Sequence, residues 1–313
     1  MALRKIVSDN NSPLNKLLVF IVTRAWYFCK TFNLRGFGVL SRTIIKLFGK
    51  EDRYCVIDIY PDIRFRINVF DGYWVPLFLD DYMYETEIFF LIRSLRTLDY
   101  LFIDCGANQG FWGLVVSSNE FGKKPFIAIE AVKKTYSLLA ENMKLNNRTF
   151  PIVHKAIEEY SGQQVSIKTN LGHADASLHY AHAVRYEEMV ETVCIDDLVT
   201  QHTALQKDFI ILKLDVEGVE IAALKGSRQL LATKEVLIIY EDHTWDKASK
   251  VSDFVLNSLS YKVYYCDEKS EIYEMRSVTD VIDRKIEYGR GYNFMGVKPG
   301  SYFHKYLINL ARK

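Results

Sequence analysis

Four acids in this 313-residue chain follow apolar runs of the kind that make buried strands. Asp104 closes Tyr100-Leu-Phe-Ile-Asp104 and opens the turn Asp104-Cys-Gly-Ala-Asn-Gln-Gly110. Glu130 closes Pro125-Phe-Ile-Ala-Ile-Glu130, and Glu158 ends Lys155-Ala-Ile-Glu158. Asp215 follows Phe209-Ile-Ile-Leu-Lys-Leu214 and leads into Val216-Glu217-Gly218. One acid at a strand end says little. Four at equivalent places predict one ligand lying across the carboxyl ends of a sheet.

The chemistry of that ligand follows from the turn. Gly106, Gly110 and Gly113 approach a dinucleotide fingerprint, but Asn108 stands where the middle glycine would let backbone meet a pyrophosphate. Asp104 would repel a phosphate and attract an ammonium group. Glu130 lies about 20 residues on, where a carboxylate takes two ribose hydroxyls. These acids suit a nucleoside bearing an amino-acid tail, such as S-adenosylmethionine. The plain alternative for the glycines alone is a strand–helix turn.

A reaction at a hydroxyl would also need a proton acceptor. Asp215, Glu217, Glu220, Asp242 and His243 are the candidates. His243 titrates nearest neutrality, although it could equally cap the helix expected from about Asp246. Glu217 and Glu220 open a helix, where acids also serve the dipole. Asp215, Glu217 and Asp242 are oxygen ligands a hard cation accepts, but their spacing demands no metal and none is assigned. His173, Asp175, His179 and His182 fall in an insert, residues 169–188, without zinc-motif spacing. The insert reads as a polar loop on the acceptor side.

The elements that must position these residues are legible from periodicity. Residues 1–50 read as helical. Residues 54–70 alternate around Pro61-Asp62 and read as a β-hairpin. Tyr84–Leu98 reads as a helix. From residue 100 strands and helices alternate: strands at 100–104, 125–130, 150–155, 209–214 and 236–240, helices from about Gly110, at 134–145, 219–231 and 247–259. A strand pair is expected at 164–168 and 191–194, and further strands at 261–266, 272–275 and 293–297. Continuous apolar strands belong to a mostly parallel sheet covered on both faces. The fold class is therefore α/β, doubly wound. Its parts are a basic, mainly helical extension (1–53), a hairpin and connector (54–83), the α/β domain (84–300) and a basic C-terminal helix (301–313).

Charge is uneven. Residues 1–50 hold nine Lys/Arg against Asp9 alone, and residues 284–313 hold seven against Glu287, so the body is acidic and both ends are basic. The ends mix cations with Trp, Phe and Ile, which fits peripheral contact with an anionic membrane better than nucleic acid. Leu17–Cys29 is too short to span a bilayer and is interrupted by Arg24. Ile44, Ile45, Leu47 and Phe48 extend the same apolar and basic mixture. A helical cap with a solvated basic side is the simpler alternative. Five cysteines without CxxC spacing argue against a disulfide framework and point to a reducing, cytoplasmic compartment. The oligomeric state is not legible.

Several segments, in this order, resemble one family: Tyr84-Glu85-Thr-Glu87, Phe102-Ile-Asp-Cys-Gly-Ala-Asn-Gln-Gly110, Ala128-Ile-Glu130, Glu141-Asn-Met-Lys-Leu-Asn146, Lys155-Ala156, Glu191-Thr-Val-Cys-Ile-Asp-Asp197, Leu212-Lys-Leu-Asp-Val-Glu-Gly-Val-Glu220, Leu224-Lys-Gly226, and Glu241 with His243. The chain is similar to the FkbM-type S-adenosylmethionine-dependent methyltransferases over about residues 84–243. Ala131 stands where the family usually has Pro. The resemblance implies a Rossmann-like methyltransferase sheet and a set of roles. Asp104, Gly106 and Asn108 would hold the methionine end of S-adenosylmethionine, with Tyr84 and Glu85 closing over it. Glu130 would take the ribose, Ile157 and Glu158 the adenine edge, and Asp215 would lie beside the transferable methyl. Asp215, Glu217 and His243 become the catalytic candidates. Family analogy adds a saccharide-like or other small hydroxylated acceptor, a cell-surface glycan or its lipid-linked precursor among them. Two alternatives stay open: an NAD-dependent oxidoreductase on the same plan, which Asn108 disfavours, and a non-catalytic membrane-associated binding protein.

Overall fold

The computed structural model describes residues 3–7, 13–31, 53–169, 176–177, 186–205, 207–243, 246–267, 269–288 and 292–311. Helix α1 (Pro13–Thr31) precedes the hairpin of β1 (Tyr54–Tyr60) and β2 (Ile63–Asn68), which turns at Pro61-Asp62 as its alternation predicts. Residues 3–7 depart from the helical reading of 1–50. They run extended along the hairpin, with Leu3 bridging Leu79 and Ile6 bridging Ile57. Ile44, Ile45, Leu47 and Phe48 lie outside the described residues, as do His173, Asp175, His179 and His182.

A 3-10 turn (Val75–Phe78) and helix α2 (Thr86–Ser94) lead into the alternating region. It begins with β3 (Tyr100–Cys105), α3 (Phe111–Val116), β4 (Phe126–Glu130), α4 (Lys133–Leu145) and β5 (Ile152–His154). The expected third strand is shorter than its apolar run. Ala156–Ile157 (β6) turns off to join β7 (Gln164–Thr169), β8 (Ala176–Ser177) and β9 (Tyr186–Val193) in a separate four-stranded sheet. The chain returns through α5 (Ile195–Gln201) to β10 (Phe209–Leu214). The expected helix at 219–231 is two helices, α6 (Glu220–Lys225) and α7 (Arg228–Thr233). After β11 (Glu235–Asp242), α8 (Lys250–Asp253) passes into a π-helical turn, Phe254–Ser258. Strands β12 (Lys262–Cys266) and β13 (Ile272–Met275), helix α9 (Val278–Tyr288), strand β14 (Tyr292–Val297) and helix α10 (Tyr302–Ala311) complete the domain. Helix α9 has no counterpart in the sequence reading. Its signal is Ser277-Val-Thr-Asp280, in which the Asp280 N–H donates to Ser277 Oγ and the Ser277 N–H donates back to Asp280. That is a capping box with Asp in the last place.

The main sheet has the order β13-β12-β14-β11-β10-β3-β4-β5, with β5, β4, β3, β10 and β11 parallel. The chain winds outward from β3 to β5 and then restarts on the other side of β3 at β10. The crevice between β3 and β10 is thus a topological switch point, where doubly wound sheets take ligands. Successive residues of a strand face opposite sides. Phe102, Phe126, Ala128, Ile211, Leu237 and Ile239 enter one core beneath α1, the hairpin, α2, α3, α4 and α10. Leu101, Ile103, Ile127, Ile210, Leu212, Ile238 and Tyr240 enter the other, beneath α5 to α9.

Candidate functional site

The same alternation places the chemistry. Register sets Asp104 beside Lys213 on β10 and Ala128 on β4. Glu130, Asp215, Glu241 and His243 continue the side of the sheet that Ala128, Lys213 and Ile239 occupy. Six polar groups therefore emerge on one side, at the switch point, from four strand ends.

The turn after β3 is pinned to its neighbours. Gly106 and Ala107 N–H donate to Ile129 C=O at 3.0 and 2.8 Å, and Asp215 N–H donates to Cys105 C=O at 3.1 Å. Gly106 has φ +79°, and a Cβ there would collide with the carbonyl oxygen of Asp215. Only glycine fits this crossing of the two strand ends. Asn108 also has positive φ, 50°, which Asn tolerates. Its N–H donates to Glu130 at 2.9 Å, while Val132 N–H donates to the other Glu130 oxygen at 2.8 Å. Glu130 is thereby clamped against the glycine turn, and burial raises it to about 7 despite those two bonds.

Asp104 is buried, and neither carboxylate oxygen has a hydrogen-bond partner among the described residues. Burial lifts it to about 6, and the charge of Lys213 only partly opposes that shift. A buried carboxylate with no donor is costly unless something supplies one.

Lys213 is the residue the sequence reading passed over. Its ammonium is buried and donates to Asp215 at 2.8 Å. Burial works against its charge, but Asp215, Glu85 and Asp104 together raise its pKa. Asp215 feels burial in the opposite sense, and the Lys213 pair holds it below its ordinary range. A lysine inside the apolar run Phe209-Ile-Ile-Leu-Lys-Leu214 was the available signal, since charged residues are almost never fully buried unless paired.

Tyr84 and Glu85 do reach the site from outside the sheet. Glu85 accepts from Trp112 Nε1 at 2.6 Å and from Asn293 Nδ2 at 3.2 Å. Desolvation raises it to about 8 against the pull of Lys213. Tyr84 sits among Tyr73, Trp74, Phe111 and Trp112, its hydroxyl bonded to that of Tyr73. Asn293, Trp112 and Tyr73 are further site residues absent from the sequence reading. Their local patterns are those of ordinary strand, helix and loop residues.

At the far edge, His243 Nδ1 lies 3.3 Å from Glu241, and Nε2 lies 3.7 Å from Glu217 and 3.9 Å from Glu220. Burial opposes its charge, but the Glu241 bond and the charges of Glu241, Glu217 and Glu220 lift the imidazole to about 9. His243 is consequently an imidazolium at neutral pH rather than a ready base. Its carbonyl accepts from Asp246 N–H at 3.1 Å, so the contact toward the next helix comes from its backbone. Glu220 is buried and accepts from the Gly218 N–H at 3.1 Å, which makes it a helix-opening brace.

Two expectations need correction. Asp242 is not part of this constellation. It faces the opposite side of β11, fully buried, paired with Lys285 and accepting from Ser252 Oγ at 2.5 Å. Glu158 does not end a strand of the main sheet, because β6 belongs to the smaller one. Ile157 is buried in the core and Glu158 is half-buried, receiving the N–H of Glu159 at 3.1 Å. The strand that carries Ile157 stays beside the end of β4, where Ala156 packs with Val132. The break between α6 and α7 serves this loop. A Cβ on Gly226 would lie 2.7 Å from the Glu158 carbonyl oxygen, so Leu224-Lys-Gly226 is a close-packing motif.

The Methyltransferase FkbM domain model matches residues 104–276, over half of the chain. The chain belongs to the FkbM methyltransferase family. The match opens at Asp104 and takes in Glu130, Glu158, Lys213, Asp215, Glu217 and His243, while Tyr84 and Glu85 precede it. No curated protein matches this FkbM chain significantly. Among solved structures, an FkbM methyltransferase from Methylobacillus flagellatus is 15% identical at a TM-score of 0.38, covering 73% of this chain. The alignment spans 53%, about half, of that longer chain. A precorrin-6y C5,15-methyltransferase from Geobacter metallireducens is 11% identical at a TM-score of 0.35, covering 70% of this chain and 92% of that one. An O-methyltransferase from Bacillus cereus in complex with SAH is 12% identical at a TM-score of 0.34, covering 68% and 80%.

Proposed function

We propose that this FkbM domain methylates a hydroxyl of a saccharide-like or other small hydroxylated acceptor, using S-adenosylmethionine. The observation that carries the reading is Asp104, buried without a hydrogen-bond donor beside a turn that Glu130 clamps. These residues fit the cofactor. Asp104 and the Gly106–Asn108 backbone would hold its amino-acid end, with Tyr84 and Glu85 over it. Glu130 would accept from the ribose hydroxyls through the lone pairs its two amide bonds leave free. Ile157 and Glu158 would meet the adenine. When bound, S-adenosylmethionine supplies an electrophilic methyl on a sulfonium. Asp215, fixed by Lys213, presents a negative edge toward that charge.

Alignment of donor and acceptor supplies much of the rate in such a transfer. The hydroxyl must still lose a proton, and the half-buried Glu217 beside the His243 imidazolium is placed to receive it. The Glu217 carboxylate takes the proton as the oxygen becomes an ether. Family membership and Asn108 favour methyl transfer over hydride transfer.

Calorimetric titration with S-adenosylmethionine, S-adenosylhomocysteine and NAD tests the cofactor. Micromolar binding of both adenosyl compounds and none of NAD is the expected result. A folded protein that binds neither adenosyl compound removes the reading. Transfer of labelled methyl to a panel of glycans and small polyols, and its loss in Glu217→Gln, tests the acceptor and the base.

A further inference from the structure

Helix α1 is apolar on both sides. Leu18, Val19 and Val22 are buried against the fold, as amphipathic packing requires, with Trp26 edge-on to Tyr82. The outer side carries Leu14, Leu17, Phe20 and Tyr27, the last three 51%, 48% and 50% exposed. Large exposed apolar side chains elsewhere among the described residues are scattered singly along the chain, at positions such as Met83, Tyr160 and Met189. A concentration of this kind on one helix marks a surface meant to be covered.

The charge on the helix says by what. Pro13–Thr31 contains Lys16, Arg24 and Lys30 and no acid. Arg24 lies over the Phe20 ring at 5.1 Å, so a cation accompanies the outer apolar face, while Lys30 lies over Trp26 at 5.1 Å beside the packed one. The sequence continues basic through Lys50, while the rest of the chain is net negative. A helix of 19 residues is about 28 Å long. No helix among the described residues is long and apolar enough to cross a membrane. Outward apolar residues flanked only by cations match a helix lying in the plane of an anionic bilayer surface.

We infer that the outer face of α1 docks this protein on an anionic phospholipid surface, Leu17, Phe20 and Tyr27 entering the headgroup region and Lys16, Arg24 and Lys30 meeting the phosphates. The acidic body would be repelled by the same surface, which fixes the orientation. Helix α1 packs on the Val75–Phe78 turn, between the segments that carry Tyr73 and Tyr84. Docking therefore presents the site to acceptors anchored in that bilayer. This consequence rests on the proposed methyl transfer, whereas the docking itself does not.

The test is cosedimentation of the full chain with vesicles of phosphatidylcholine plus phosphatidylglycerol, against phosphatidylcholine alone, at low and high salt. The wild type should sediment with the anionic vesicles and be released by salt. The double variant Leu17→Ser/Phe20→Ser should bind about tenfold more weakly, with an unchanged urea midpoint showing that it folds. If that variant does not fold, Arg24→Glu alone should abolish the preference for anionic vesicles. Wild-type protein that stays in the supernatant, or a folded double variant that sediments as well as wild type, overturns the inference. So does a vesicle-free dimer, seen by light scattering, that the double variant dissociates, because a second copy then covers the face. S-adenosylmethionine affinity, measured alongside, reports separately on the proposed activity.

Discussion

Lys213 and Asp215 stand two residues apart on one side of the same strand end, joined by a hydrogen bond of 2.8 Å. Register then sets Asp104 beside the same lysine, and Glu85, just before α2, acts on it as well. One buried cation thus holds three carboxylates together at the switch point, and the net negative charge that remains suits a cationic ligand.

Replacing Lys213 by Met should leave those acids without their counter-charge. Removing one partner of a buried ion pair costs about 3–5 kcal/mol. Urea unfolding of Lys213→Met at pH 7 should show a loss of that size, shrinking as pH falls and the acids protonate. An unchanged midpoint would mean that Lys213 does not organise the site.

Glu130→Ala should weaken S-adenosylmethionine binding at least about tenfold, since hydrogen bonds to a charged group contribute roughly 1.5–3 kcal/mol. The wild type should show a pH dependence in the same titration. Burial raises Asp104 to about 6 and Glu130 to about 7. Below these values Asp104 no longer attracts an ammonium group and Glu130 is a weaker acceptor for the ribose hydroxyls, so affinity should climb between about pH 5 and 8. The free protein should move the opposite way. Its native state holds these protons more tightly than the unfolded chain, so stability is lost as pH rises from about 4, the unfolded range, through the folded values of about 6 and 7.

Gly106→Ala should be more damaging than a methyl group suggests. Positive φ and a collision with the Asp215 carbonyl coincide there, and backbone cannot move aside cheaply. Cofactor titration should show no binding, and thermal unfolding should shift downward.

His243→Gln should separate charge from shape. The imidazole is raised from 6.5 to about 9 by its acidic neighbours. A raised histidine stabilises fully below its unfolded pKa, and the contribution fades as pH rises through about 9. The variant should lose on the order of 2 kcal/mol at pH 6, after discounting for solvent around the ring. By about pH 10 the two proteins should converge. A deficit independent of pH would point to packing alone.

Asp242→Ala should unfold more easily by about 3 kcal/mol, because Lys285 would be left buried without its counter-charge, keeping only the Asp246 carbonyl and Ser249 Oγ as acceptors. Its affinity for S-adenosylmethionine should stay within about twofold of wild type, at the scatter of surface substitutions. A large loss of affinity in a folded variant would return Asp242 to the site.

Local pattern was enough for most strands of the sheet and for the polar groups at its carboxyl edge. Period-two alternation marked the hairpin around Pro61-Asp62, and unbroken apolar runs marked β3, β4, β10 and β11, because strands covered on both faces have no polar side. Asp104, Gly106, Asn108 and Glu130 were legible for the same reason: a strand end and the turn after it are encoded by adjacent residues. Tertiary structure decided the rest. Asp242 and Glu241 are neighbours in sequence and stand on opposite sides of one strand, so only the sheet's packing says which acid reaches the site. Asn293 meets Glu85 across 208 residues because β14 inserts beside β11. Glu241 lies two residues from His243, but folding alone brings Glu217 and Glu220 to add their charges to its pKa shift. Strand order and burial set these contacts and fields, and neither is written in the spacing of any single segment.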